Sequence, residues 1–177
     1  MRQISKVVMS KLFEYDELDQ MDKNLLKIAC LARRRAVAPY SKYKVGVAVL
    51  SRRGQSIHPG CNIECANWNG TTHAEQAAIA GMISREGPSK IWRMALIGAP
   101  ESFDLVLPPA RTQDEIVDIT RVPVPCGHCL QIWWEHCRGD GDVEVVALCG
   151  NGQVAITKID SAFPMRFGPE DLGIKYG

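Results

Sequence analysis

Two short segments constrain this chain more than any others: Thr72-His73-Ala74-Glu75, and much later Pro125-Cys126-Gly127-His128-Cys129. One histidine and two cysteines in this pattern can supply three ligands, His73, Cys126 and Cys129, to a tetrahedral Zn²⁺. The fourth position is left for water, which is the arrangement of a catalytic rather than a structural zinc site. Glu75, two residues after the histidine, stands beside the metal without ligating it and is the candidate proton carrier. Both segments read as helix starts. His73 falls in the first turn of one helix, and Cys126 and Cys129 lie at i and i+3 of another, so each set projects from one helix face. Any fold that uses the pattern must therefore bring two helix N-termini together, where their positive ends favour thiolate. Pro125 and Gly127 suit the entry of such a helix.

The same residues have plainer readings. Thr72-x-x-Glu75 is also a capping box, in which Glu75 only satisfies the helix start. Cys-x-x-Cys alone is compatible with a redox pair or half of a structural zinc site. A structural site needs a fourth protein ligand, for which His128, His136 and Cys137 are near in sequence. His128 points off another helix face and the other two lie further along the helix, so their spacing disfavours all three.

The 177 residues fit one domain, which at this size buries roughly 70% of its unfolded surface. A net charge of +1 argues against a large basic field for nucleic acid. No stretch has the apolar length of a membrane span, and the N-terminus lacks the order of a signal peptide, so the chain reads as cytoplasmic. The 7 cysteines are read as two metal ligands and five buried thiols.

Residues 1–20 carry mixed charges without a strong period and read as an N-terminal extension to a single domain over 21–177. A helix starts near Asp22, with Leu25, Ile28, Ala29 and Ala32 on one face, and Pro39 ends it. Val45, Val47 and Val49 alternate along a strand, and a turn at 51–54 leads into a second strand that reaches Asn62 and Glu64. A helix from Thr72 to about Arg85, a strand over 91–99, a loop over 100–123 and a helix over 126–138 follow. Strands at 143–148 and 154–159 flank the hairpin signal Asn151-Gly152. This order predicts a layered α/β/α sandwich around a mixed sheet of about five strands.

The pattern H-x-E followed by P-C-x-x-C resembles that of the zinc-dependent nucleobase deaminases. Over most of residues 22–173 the chain resembles the cytidine deaminase family more specifically. The matching segments are Ala38-Pro39-Tyr40-Ser41-Lys42-Tyr43-Lys44-Val45-Gly46, Gly60-Cys61-Asn62-Ile63-Glu64 and Phe167-Gly168-Pro169-Glu170-Asp171-Leu172. The resemblance implies hydrolytic deamination of cytidine or 2′-deoxycytidine: water activated by Zn²⁺ attacks ring carbon 4 while Glu75 shuttles protons and ammonia leaves. It implies that Asn62 and Glu64 bind the ribose hydroxyls and that Tyr43 lines the pyrimidine pocket. The amide of Ala74 and the carbonyl of Val124 would hold the ring, and Phe167 would approach a neighbouring subunit's site in a homotetramer. The implied partner is a small pyrimidine nucleoside, with neither nucleic acid nor membrane. Each substrate assignment has a plainer counterpart: a solvated strand edge for Asn62 and Glu64, core for Tyr43, a pinned tail for Phe167.

The chain also departs from the pattern. Short relatives commonly place cysteine at the position of His73 and arginines at those of Gln76 and Leu130. Two thiolates balance Zn²⁺, so histidine ligation removes the demand for nearby cations. Leu130 and the long segment 100–122, which could cover the pocket or alter an interface, leave other readings open. These are deamination of a blasticidin-like antibiotic or a modified cytosine nucleoside, an editing deaminase acting on nucleic acid, and a zinc-stabilised binding module.

Overall fold

A computed structural model describes residues 1–52, 55–112 and 119–175. The first helix, α1 (Gln20–Arg34), is capped by the Asp19 carboxylate, which accepts the Asp22 N–H at 2.7 Å. It stops well before Pro39. Val37 is instead drawn into a bridge with Ile63, its N–H donating to the Asn62 carbonyl and its own carbonyl accepting from Glu64. Pairing with a neighbouring segment thus ends the helix earlier than proline alone requires.

Six strands form one sheet, one more than the sequence predicts. They are β1 (Lys11–Phe13), β2 (Tyr43–Ser51), β3 (Ile57–Cys61), β4 (Ile91–Pro100), β5 (Glu144–Leu148) and β6 (Val154–Lys158), in the order β1-β6-β5-β4-β2-β3. The additional strand comes from the segment read as an extension: Lys11–Phe13 pairs antiparallel with β6 as an edge. The hairpin around Asn151-Gly152 forms as expected, with Gly152 at φ 87°. Of the turn expected at 51–54, Arg53 and Gly54 lie outside the described residues; the Ser51 N–H donates to the Ser56 carbonyl across it. No helix among the described residues is long and apolar enough to cross a membrane.

Alternation along β2 sorts the core into two layers. Val47 and Val49 face α2 (Ala74–Glu86) and α3 (Gly127–Cys137), joining Ala78, Met82, Trp133, Met94 and Val145 in one fully buried cluster. Ala48 and Leu50 face the other way, onto Leu25, Leu26 and Ala29 of α1. A short α4 (Ile159–Ala162) closes the α3 side. The result is the predicted three-layer sandwich.

Strand direction then places the helix starts. β2 is antiparallel to both β3 and β4, and β5 is parallel to β4, so β3, β4 and β5 all run one way. A helix that returns the chain for a further parallel strand runs against the strands and begins at their C-terminal ends. Helix α2 follows β3 and α3 follows β4, so both begin at the same end of the sheet.

Two glycines set how closely helices approach that sheet. A Cβ at Gly60 would collide with the Ala74 carbonyl and the Ala78 amide of α2, and one at Gly46 with the Ala29 carbonyl and Arg33 amide of α1. These are backbone atoms, which cannot swing aside. We expect Gly60→Ala to destabilise the protein by about 1–3 kcal/mol, the usual cost of overpacking. Gly81→Ala, in open space on α2, should be neutral or stabilising. Denaturant midpoints of the two variants check this; equal stability would mean that α2 moves freely over β3.

Candidate active site

The N-terminal ends of α2 and α3 meet as the sequence requires, but the capping register is shifted by one residue. His73, not Thr72, is the N-cap of α2, and its N–H is accepted by the Gln76 side-chain oxygen at 2.8 Å. The plain capping role predicted for Glu75 thus falls to Gln76. Glu75 becomes the second residue of the helix, buried at 6% exposure, and it lines a cavity. On α3, Cys126 is the N-cap and Cys129 the third helical residue.

The His73 Nδ1 lies 3.6 Å from the Cys126 Sγ and 3.4 Å from the Cys129 Sγ. A tetrahedral ion with ordinary zinc–nitrogen and zinc–sulfur bonds separates such ligands by about 3.6 Å, so the donor set fits Zn²⁺ in both chemistry and spacing. These three side chains form the one group of His, Cys, Asp or Glu among the described residues able to hold a metal ion. His128, His136 and Cys137 are not part of it. The Cys129 thiol is pushed far up from its usual range, first by burial and then by the negative charge of Glu75 and Cys126. Metal uptake must therefore release protons, and the site holds metal less tightly as pH falls.

The cavity, of about 640 Å³, opens beside this cluster. Val45 and Tyr43 at the start of β2, Leu96 and Gly98 toward the end of β4, and Asn62 and Glu64 past the end of β3 all reach it. The strand expected to carry Asn62 and Glu64 ends at Cys61, so both belong to an irregular segment rather than a strand face. Asn62 is clamped to the start of β2. Its oxygen accepts the Val45 N–H at 2.8 Å and its amide donates to the Tyr43 carbonyl at 3.0 Å, leaving one lone pair and one proton for a ligand. The Glu64 carboxylate accepts from the Tyr40 and Ser41 amides at 2.9 and 3.1 Å and from the Ser41 hydroxyl. The Ser41 hydroxyl, followed by those amides, holds the acid below its usual range and so ionised.

Ala74, Val124 and Tyr43 line the cavity, whereas Phe167 is exposed and does not line the cavity of its own chain. Leu130, flagged for its apolar character, packs in the core between the sheet and α3. The described residues of 100–122 do not line the cavity. Leu105 and Leu107 pack on the α1 side, and Arg111 pairs with Glu14 at 3.1 Å.

Several lining residues carry no assignment from the sequence, Gly98, Trp68 and Ser41 among them. Gly98 lets the Tyr43 ring lie against β4, since a Cβ there would come within 2.9 Å of the ring; a glycine inside an apolar strand is the signal for such a close approach. Trp68 stands at the mouth, 63% exposed, in edge contact with Tyr40 at 6.0 Å between centroids. Its signal is an aromatic within the turn-forming run Asn67-Trp68-Asn69-Gly70. Ser41 gives no such signal.

The sequence matches the family described as the cytidine and deoxycytidylate deaminase zinc-binding region over residues 19–140. It is 32% identical to a cytidine deaminase of Sporosarcina psychrophila across 142 residues, 80% of this chain and 87% of that protein. A cytidine deaminase of Halalkalibacterium halodurans is 31% identical across 86% of this chain and 98% of its own length. The crystal structure of cytidine deaminase from Burkholderia pseudomallei superposes with a TM-score of 0.60 at 28% identity, covering 82% of this chain and 98% of that one. That from Mycobacterium tuberculosis, at 24% identity and a TM-score of 0.60, shares the fold over 85% of this chain and 99% of its own. The chain is a member of this zinc-dependent deaminase family, and its cofactor is Zn²⁺.

Purified protein should carry about one Zn²⁺ per chain. Cys129→Ser should lose it, while Glu75→Gln should retain it yet show no measurable turnover. Elemental analysis beside an ammonia-release assay reads both; loss of zinc from Glu75→Gln would make Glu75 a ligand rather than a proton carrier.

Proposed function

We propose that the protein hydrolyses cytidine and 2′-deoxycytidine to the corresponding uridines and ammonia, with Glu75 as the proton carrier. The observation that carries this reading is the buried Glu75 carboxylate on the wall of a cavity that also reaches the His73, Cys126 and Cys129 cluster. Zn²⁺ held by His73, Cys126 and Cys129 would supply the nucleophile, by acidifying a water at neutral pH. Glu75 takes the proton released from that water and delivers it to ring nitrogen 3 as oxygen adds to carbon 4. It then passes the remaining hydroxyl proton to the exocyclic nitrogen, and the carbon–nitrogen bond breaks to give ammonia and the uracil ring. Burial of Glu75 keeps bulk water from competing for that proton.

Around the ring, the Ala74 amide and the Val124 carbonyl hold the base oxygen and amino group, a role supported by Ala74, Val124 and Tyr43 all lining the cavity. Asn62 and Glu64 serve the sugar. Each is fixed by backbone partners and retains capacity for one hydroxyl, so neither must be reorganised on binding. The described cavity wall carries no lysine or arginine, and Glu64 adds a negative charge to it. That lining favours a nucleoside over a nucleotide, whose phosphate would lack a cationic partner. Relatives named cytidine deaminase favour the nucleoside over an antibiotic or a nucleic-acid strand.

The assembly belongs to the same reading. Trp68 and Val124 on the cavity wall, Tyr40 against Trp68, and Phe167 away from the cavity are all at least 42% exposed. A homotetramer in which Phe167 of one subunit approaches the mouth of another would cover them, and light scattering of the active protein tests it. Residues 21–177 then form the catalytic domain and 1–20 an appended segment tied on through β1, in a protein that works in the cytoplasm.

A site built to hydrogen-bond sugar hydroxyls leaves polar groups unpaired when the sugar is missing. Cytidine or deoxycytidine should be processed at least about a hundredfold more efficiently than free cytosine. Glu64→Ala should narrow that ratio by damaging the nucleoside reaction. Steady-state kinetics on the three substrates and on cytidine 5′-monophosphate check this; equal efficiency on cytosine would overturn the role of Asn62 and Glu64.

A further inference from the structure

A side-chain bridge separate from the metal ligands joins the two helices that carry the metal cluster. Gln76 on α2 and His128 on α3 meet with the Gln76 Nε2 2.8 Å from the His128 Nε2. The other end of the same amide is already committed, its oxygen accepting the His73 N–H at 2.8 Å. That commitment fixes the direction of the bridge. The Gln76 nitrogen must donate, so the His128 Nε2 accepts and its proton resides on Nδ1.

Each end of the bridge lies within a ligand set. Gln76 follows Glu75 directly and holds the backbone of His73, while His128 sits between Cys126 and Cys129. The His73 and His128 rings stand edge to face, 6.1 Å between centroids, which keeps His128 beside the cluster and outside it. Neither Gln76 nor Leu130 supplies a cation here: Gln76 is neutral, and Leu130 is apolar and buried in the core at 6% exposure.

We propose that Gln76 and His128 are positioning residues. As a neutral clamp, they set the spacing between His73, with its neighbour Glu75, on α2 and the two cysteines on α3. The proposal rests on the zinc deaminase reading above. Partners that orient metal ligands from outside characteristically affect metal retention and turnover together. Substrate affinity is carried elsewhere, by Asn62, Glu64, Tyr43 and the cavity wall, and should be spared.

The test uses the zinc-loaded full-length protein with His128→Ala, Gln76→Ala, the double variant and His128→Gln. His128 is exposed, so its removal does not threaten folding. Two quantities are read: the rate at which a chelator strips zinc, and kcat and KM for cytidine. His128→Ala should lose zinc about tenfold faster and lower kcat with KM nearly unchanged. It should add nothing in the Gln76→Ala background, because the bridge is then already gone. His128→Gln, whose side-chain oxygen restores an acceptor, should recover most of both losses. Zinc release unchanged in His128→Ala, independent losses in the double variant, or failure of His128→Gln to recover would each overturn the clamp. Wild-type protein without zinc or without turnover would instead overturn the reading beneath it.

Discussion

Because β3, β4 and β5 point the same way, the helices that leave β3 and β4 must both begin at one end of the sheet. Every feature of the site depends on that constraint. It brings His73 to within 3.6 Å of sulfurs far away in the sequence. It also sets the start of β2, with Tyr43 and Val45, against the segment after β3, with Asn62 and Glu64. Gly46 and Gly60 set the depth of the arrangement by letting α1 and α2 rest directly on the strands. The fold positions the chemistry through backbone direction and close approach.

Within that frame, a one-residue shift in helix capping separates structure from catalysis. Had Thr72 been the N-cap, Glu75 would have been occupied in closing the helix start. With His73 in that place, Gln76 closes it and the Glu75 carboxylate is left facing the cavity. Charge follows the same economy. A neutral imidazole and two thiolates balance a divalent ion, so this ligand set needs no further cation beside it, and Gln76 can be uncharged. Burial of Cys129 makes the thiolate unfavourable until the metal arrives, so the site is organised around an ion rather than around a reactive thiol.

Much of this was legible in the residues. The metal triad followed from two motifs that resemble those of the zinc-dependent deaminases, and the three-layer sandwich from the order of helices and strands, because ligand spacing and side-chain period are local properties. What was not legible depended on contacts between distant segments. The end of α1 is set by the bridge of Val37 to Ile63, not by Pro39. Three residues near the N-terminus, one of them charged, carry too short a pattern to reveal an edge strand; only β6 makes Lys11–Phe13 a strand. Asn62 and Glu64 were assigned to a strand face, yet their fixed positions come from β2 and from the Tyr40–Ser41 backbone. The Gln76–His128 bridge joins helices that share no sequence pattern.

The central claim is that two helix starts supply three protein ligands and leave one position for water. X-ray absorption at the zinc edge of the purified protein reads those ligands directly. Two sulfurs at about 2.3 Å and two nitrogen or oxygen neighbours at about 2.0–2.1 Å, with the signature of a single imidazole, are the predicted result. A third sulfur, or a second imidazole contributed by His128, would close the open position and contradict the account.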